Sequence, residues 1–397
     1  MEMSVTSTEP NTRSALPLTS LLTAAMTWSM LPLFLLGALG PALVAEFGIA
    51  TPLLGVLVSV GFAVAAALSL FAGPVVAALG PRRCLIALFL FSGVVLAGFA
   101  SAPVYGLLVV AVAASGVPQA LANPTTNQLI STRVPAKQRG GVTGWKQSGV
   151  QLGAFFAGLP LAAIAAASDW RVAVGIAAGI AVMAGLLTLT LQPDAEPVRA
   201  VRWTVVKPTG QAWWLCGFSV LLGAGISAVN TYITLFGTKQ LALPAGVASG
   251  LVAVLGVAGI AGRVGWSRVA AKSDSPGSLL GPLTAGSAVA ALGLVAAAVW
   301  WPGWAWVAAA GLGVFAASAN AVSMVTVIST SPAGSVARDS SVVSAGFFAG
   351  FAIGPPVAGA VVAVAGGRYQ AGWLLVAAEF LAAAGVAWWW RSRDPRS

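Results

Sequence analysis

The chain has 397 residues, of which 58% are hydrophobic and only 8% charged, with a formal net charge of +10 and no histidine. Soluble domains carry about 25% charged residues, so this composition cannot clothe a water-facing surface. Without histidine, haem-type His ligation, HExxH proteolysis and Ser-His nucleophilic chemistry are excluded, and the two cysteines, Cys84 and Cys216, offer neither a disulfide framework nor metal-ligand spacing.

Residues 1–17, MEMSVTSTEPNTRSALP, are polar and acidic at the start, unlike the basic leader of a secretory signal, and predict a disordered tail. Beyond them, apolar runs of Ala, Leu, Val and Gly recur at the length needed to cross about 30 Å of hydrocarbon as a helix. A β-barrel would show short alternating segments instead. Twelve spans are expected, at about 18–44, 52–79, 84–101, 105–131, 141–166, 171–191, 209–237, 245–265, 277–298, 304–330, 340–364 and 370–390. The segment 192–208, QPDAEPVRAVRWTVVKP, is rich in Pro and charge and divides six spans from six. The expected organisation is an all-α polytopic membrane protein with six-helix bundles over 18–191 and 209–390, a linker over 192–208 and a second tail over 391–397.

The placement of charge argues for a membrane rather than a nucleic acid as the basic chain's partner. With a cytoplasmic N-terminus, Arg13, Arg82, Arg83, Arg133, Lys137, Arg139, Arg199, Arg202, Lys207, Arg263, Arg268, Lys272, Arg338, Arg391, Arg393 and Arg396 all fall on the cytoplasmic side. Only Arg171, Lys239 and Arg368 fall in outer loops. This positive-inside bias predicts a multi-pass protein of a plasma membrane, the inner membrane of a bacterium, with both termini in the cytoplasm.

Two stretches carry an internal repeat. GVPQALAN at Gly116 to Asn123 and GVFAASAN at Gly313 to Asn320 share their Gly, Val, two Ala and final Asn at an offset of 197 residues. IST recurs at Ile130 and Ile328, an offset of 198, and FAGLPLA at Phe156 faces AIGPPVA at Ala352, an offset of 196. Such parallel six-span repeats place a solute site near the membrane midplane between the halves.

Over about Leu18 to Trp390 these features resemble the major facilitator superfamily. The loop GPVVAALGPRR, Gly73 to Arg83, is similar to that family's G-x-x-x-D-R-x-G-R-R signature and keeps Gly73, Gly80, Arg82 and Arg83, with Ala77 at the acidic position and Ala78 at the first Arg. The second-half loop GRVGWSRVAAK keeps Gly262, Arg263, Trp266 and Arg268. GFAIGPPVAG, with Gly354 and Pro355, resembles a G-x-x-x-G-P-x-x-x-G hinge that exporters carry in span 5, here displaced to span 11. GWKQSGVQLG in span 5 is similar to the cyanate and small-anion permease branch. The resemblance implies a gating role for Gly73, Gly80, Arg82, Arg83, Arg263, Arg268, Gly354 and Pro355, without the acidic lock at Ala77, and puts spans 1, 4, 7 and 10 at the centre.

Polar side chains in hydrocarbon normally face a bundle interior or a water-filled path. Gln119, Asn123 and Asn127 share one helix face, beside Pro124, and read either as cavity wall or as glue between helices. Asn320 inherits both readings by the repeat. Asn230, with Tyr232 close by, gives span 7 a similar face, while Trp28 is a stacking wall or plain core. Lys146, followed by Gln147, lies about 9 Å up its helix from Gly140. It either snorkels to the cytoplasmic interface or faces the cavity as a cation for an anionic solute.

The only acid deep in a span is Glu379, on the peripheral twelfth. A neutral-to-positive cavity suits a small organic anion or a neutral metabolite. The expectation is therefore a monomeric transporter, not an enzyme, that needs no cofactor and works by alternating access of two halves with glycine-rich contact faces. A proton or counter-anion is a candidate coupling partner, with a desolvated Lys146 or the solute itself as proton carrier. A multidrug exporter of lipophilic compounds is the alternative.

Overall fold

Backbone polar groups in a bilayer must be satisfied within the protein, and this chain meets that demand with helices throughout. The computed structural model describes residues 15–49, 52–193, 208–332 and 334–393. The first half holds α1 (Ala15–Ala38, continued by Gly40–Phe47), α2 (Pro52–Leu79), α3 (Pro81–Ser101) and α4 (Tyr105–Ala114, continued by Gly116–Arg133). It is completed by α5 (Ala136–Gly158, continued by Pro160–Ala167) and α6 (Trp170–Thr188). The second half holds α7 (Gly210–Lys239), α8 (Ala245–Lys272), α9 (Leu280–Val299), α10 (Trp304–Leu312 with Ser318–Thr330), α11 (Val336–Val364) and α12 (Tyr369–Arg391).

Among the described residues, eleven helices are long and apolar enough to cross a membrane. The twelfth crossing is α5, where Lys137, Arg139, Lys146, Gln147 and Gln151 reduce the hydropathy. This helix starts earlier than the apolar pattern suggests and breaks at Leu159, because the residue before a proline is disfavoured in the α region. α1 is interrupted at Leu39, two residues ahead of Pro41. Residues 1–14, most of the expected linker (194–207) and 394–397 lie outside the described residues, and with them Arg13, Arg199, Arg202, Lys207 and Arg396.

The repeat seen in sequence is a repeat of packing. α1 lies on α5 as α7 lies on α11, and α3 lies on α6 as α9 lies on α12. The halves meet through α2 against α11 and α8 against α5, another symmetric pair. Small residues allow these approaches. A Cβ on Gly149 of α5 would stand 2.2 Å from Thr23 O of α1, and one on Gly350 of α11 would stand 2.1 Å from Val220 O of α7. Both repeated stretches lie at helix irregularities: α4 is interrupted at Ser115, just before Gly116, and α10 forms a π turn over Gly313–Ala317. Such turns re-aim the helix that follows.

Contacts between halves gather at the end of the molecule that carries Arg82, Arg83 and Arg268. There Asn127 Nδ2 of α4 donates to Ser340 Oγ of α11 at 2.9 Å. At the opposite end Arg171 pairs with Glu46 and donates to Ala102 O at 3.1 Å, tying α1, α3 and α6 together. Large apolar side chains such as Phe71, Val94, Val257 and Val289 point outward, as a lipid-facing surface requires.

Candidate central site

Between the halves lies a cavity with about 750 Å³ of space, open solvent included. Its polar wall comes from Gln119 and Asn123 of α4, Gln147 and Gln151 of α5, Asn230 of α7 and Asn320 of α10. Phe34 of α1 and Phe347, Phe348 and Phe351 of α11 supply an aromatic wall. Phe62 of α2 meets Phe351 with ring centroids 4.8 Å apart, so the aromatic cluster spans both halves. Arg263 of α8 is the one charged side chain on the described wall.

The snorkelling reading of Lys146 does not hold. Its side chain is fully buried, and Nζ donates to Asn123 Oδ1 at 2.9 Å and Asn127 Oδ1 at 2.8 Å. A snorkelling lysine keeps its ammonium in water, whereas this one is clasped by the polar face of α4. It lies behind Asn123 rather than on the cavity wall itself. The four-residue spacing of the two asparagines puts both oxygens on the same side of α4, where one ammonium reaches both.

Arg263 also departs from expectation. Its position in the second-half loop motif suggested an anchor or gate near the interface, yet it is 3% exposed and reaches the centre. Nε donates to Ala317 O at 3.1 Å, and Nη1 donates to Gln147 O at 2.6 Å, across the boundary between halves. Both acceptors are neutral carbonyls. The described ion pairs are Arg171 with Glu46 and Arg338 with Asp339, and neither involves a cavity residue.

Of the other expected site residues, Gln119, Asn123, Gln147, Asn230 and Asn320 come together on the wall. Asn127 does not; it bridges Lys146 to Ser340 and to Met324 Sδ at the closed end. Tyr232 does not either: its hydroxyl donates to Pro355 O at 3.0 Å and fastens α7 to α11. Trp28 turns away from the cavity, donating from Nε1 to Ala177 O of α6 at 2.9 Å. Gln151, Ser29 and the phenylalanines were not anticipated. Gln151 follows Gln147 by one helical turn, and that spacing was the available signal.

The expected gating residues spread over three regions. Gly73 lies against Arg338, and Gly80 adopts φ +83 ahead of α3. Arg82 donates to Leu189 O within the first half, Arg83 is exposed, and Arg268 lies over Gly141. Gly354 and Pro355 sit where α11 crosses α7. Glu379 stays off the wall, with its Oε2 buried and unpartnered among the described residues.

Solved structures share this architecture. The human organic anion transporter MFSD10 (TETRAN) matches with a TM-score of 0.80 at 13% identity, over 96% of this chain and 100% of that one. The proton:xylose symporter XylE, bound to 6-bromo-6-deoxy-D-glucose, matches at 0.78 and 17% identity over 96% of each chain. The E. coli fucose:proton symporter FucP (N162A) matches at 0.72 and 15% identity, over 96% and 98%. No curated protein matches the chain in sequence. The family model described as Major Facilitator Superfamily matches residues 18–332, and the chain belongs to that superfamily of multi-pass membrane transporters.

Proposed function

We propose that the chain moves small organic anions across the membrane by alternating access, with Arg263 as the group that receives the anionic end of the solute. The observation that carries this reading is a buried guanidinium on a cavity wall whose described residues include no acid. A buried charge without a counter-charge is costly, and a bound anion supplies what the wall lacks. Lys146, one layer behind, adds a second basic side chain. The fold match to an organic anion transporter agrees with this reading.

The positive-inside bias supports cytoplasmic termini, as before. The halves then touch at their cytoplasmic ends, and the cavity faces outward. A similar chain, FucP in its outward conformation, matches with a TM-score of 0.71 at 14% identity over 96% and 99% of the two chains. Two six-helix bundles joined by the segment around 192–208 form a complete pathway in one chain, so a monomer suffices. Rocking the bundles would part α5 from α8 and α2 from α11 while releasing the solute inward.

The test is a thermal-shift panel on purified protein with carboxylates, neutral sugars and lipophilic cations, repeated with Arg263→Gln. Ligands that bind the folded state raise apparent stability. Carboxylates should stabilise the native protein and lose that effect in the variant. Stabilisation confined to lipophilic cations would instead support a multidrug exporter and sink the anion reading.

A further inference from the structure

Two of the glutamine amides beside the cavity have a fixed polarity, one of them set by a lysine that never touches the cavity. Lysine has three donors and no acceptor. Because Lys146 Nζ takes both Asn123 Oδ1 and Asn127 Oδ1, each asparagine must turn its oxygen toward α5. Gln147 meets the same Asn123 Oδ1 at 3.2 Å and must meet it with Nε2. Its Oε1 is then left buried and without a donor.

Gln119 reaches the same state independently. Its Nε2 donates to the backbone oxygen of Ser115 at 3.0 Å and to Ser115 Oγ at 3.2 Å. A backbone carbonyl can only accept, so the amide cannot be turned round, and Gln119 Oε1 is again unpartnered. Asn320 Oδ1 is buried and unpartnered as well, with its amide held by no side-chain hydrogen bond among the described residues. Gln119 and Gln147 are 0% exposed and Asn320 is 4% exposed, yet all three line the one cavity. Buried acceptors without donors are rare in native proteins and call for an explanation.

We propose that these amide oxygens form a donor-recognising face, so that the solute is an organic anion bearing hydroxyl or amide hydrogens, with Lys146 as the positioning residue for Gln147. An ammonium would also donate, but it would share the wall with Arg263 and be repelled. The inference rests on the anion reading above and narrows it. A solute that packs against these acceptors without offering a donor leaves them unpaired and loses affinity. A site built to bond a hydroxyl therefore rejects the analogue that lacks it.

The experiment is calorimetric binding to the purified full chain with matched carboxylates: lactate against propionate, gluconate against hexanoate, mandelate against phenylacetate. In the pairs that bind, the hydroxylated member should bind about tenfold tighter or more. Gln147→Leu should bring the ratio close to one while both members still bind, and Gln119→Leu, on a different helix, should also reduce it. Lys146→Met should lower the ratio without abolishing carboxylate binding, a selectivity change that a merely structural lysine would not produce. Arg263→Gln should weaken both members alike.

Equal affinities within every pair, with Arg263→Gln still weakening both, would overturn the donor face and leave the anion reading standing. Binding of neutral sugars or lipophilic cations but of no carboxylate would overturn both.

Discussion

Arg263 Nη1 of the second half donates to the backbone oxygen of Gln147 in the first half at 2.6 Å, so the one charged side chain on the described cavity wall is also a bond between the halves. A solute carboxylate arriving at this guanidinium would compete with, or add to, that bond. Under the proposed function, binding and relative motion of the halves would then meet at one side chain, which is what alternating access requires of a substrate-sensing group.

The first prediction follows from that placement. Truncating one partner of a buried, hydrogen-bonded charge pair costs about 2–5 kcal/mol, which is roughly 30-fold or more in affinity. Arg263→Gln should weaken carboxylate binding by at least that factor. Arg263→Lys should recover only part of it, because a single ammonium lacks the planar fork that now reaches Ala317 O and Gln147 O together. Calorimetry with the tightest carboxylate of the panel measures both.

A second prediction separates two asparagines that share a lysine. Asn123→Leu and Asn127→Leu each remove one acceptor from Lys146 Nζ, but only Asn127 also bonds Ser340 across the halves. Both variants should lose about 1–3 kcal/mol of stability, the usual cost of orphaning a buried polar partner. Only Asn127→Leu should loosen the closed end. Spin labels on cysteines at Lys137 and Lys272, with Cys84 and Cys216 replaced by serine, should show a longer or broader distance distribution in that variant alone.

A third concerns Tyr232, which sequence placed near the solute and the structure places against Pro355. Hydrogen bonds between membrane helices contribute about 0.6 kcal/mol on average. Tyr232→Phe should therefore cost less than about 1 kcal/mol in unfolding by a denaturing detergent and leave carboxylate affinity unchanged. A loss of affinity beyond threefold would put the hydroxyl in the site after all.

How much of this was legible beforehand depended on which physical signal each residue carried. Hydropathy marked eleven of the crossings, since a bilayer fixes the length of an apolar helix, while α5 is less apolar, and the 197-residue offset anticipated the paired packing of α1 on α5 and α7 on α11. The amides of α4 were visible because polar side chains in hydrocarbon are costly. Arg263 was misplaced because it sits in a loop-like motif, and only the packing of α8 against α5 and α10 shows that its long side chain turns inward. The role of Lys146 depends on which amide oxygen each neighbour turns toward it, and no one-dimensional pattern encodes that. The phenylalanines of α11 read as ordinary core until Phe62 appears opposite them from the other half.

The last prediction tests the contact that closes the arginine-bearing end. A Cβ on Gly73 would lie 2.5 Å from the Cα of Arg338, a distance that real Cβ atoms do not show, and the obstruction is backbone rather than a side chain that could swing away. The two positions belong to α2 and α11, from opposite halves, so a side chain there acts as a wedge. It should leave each half intact and oppose only their approach at this end. Gly73→Leu should therefore retain carboxylate binding within a fewfold, because the cavity wall is untouched, while abolishing net flux into proteoliposomes. The spin-label distance between positions 137 and 272 should shift toward the separated state. A wedge that leaves flux and distance unchanged would mean that the α2 and α11 contact is not part of the cycle. Motion would then have to be sought at the other closely packed pair, where a Cβ on Gly140 of α5 would stand 2.4 Å from Ser267 O of α8.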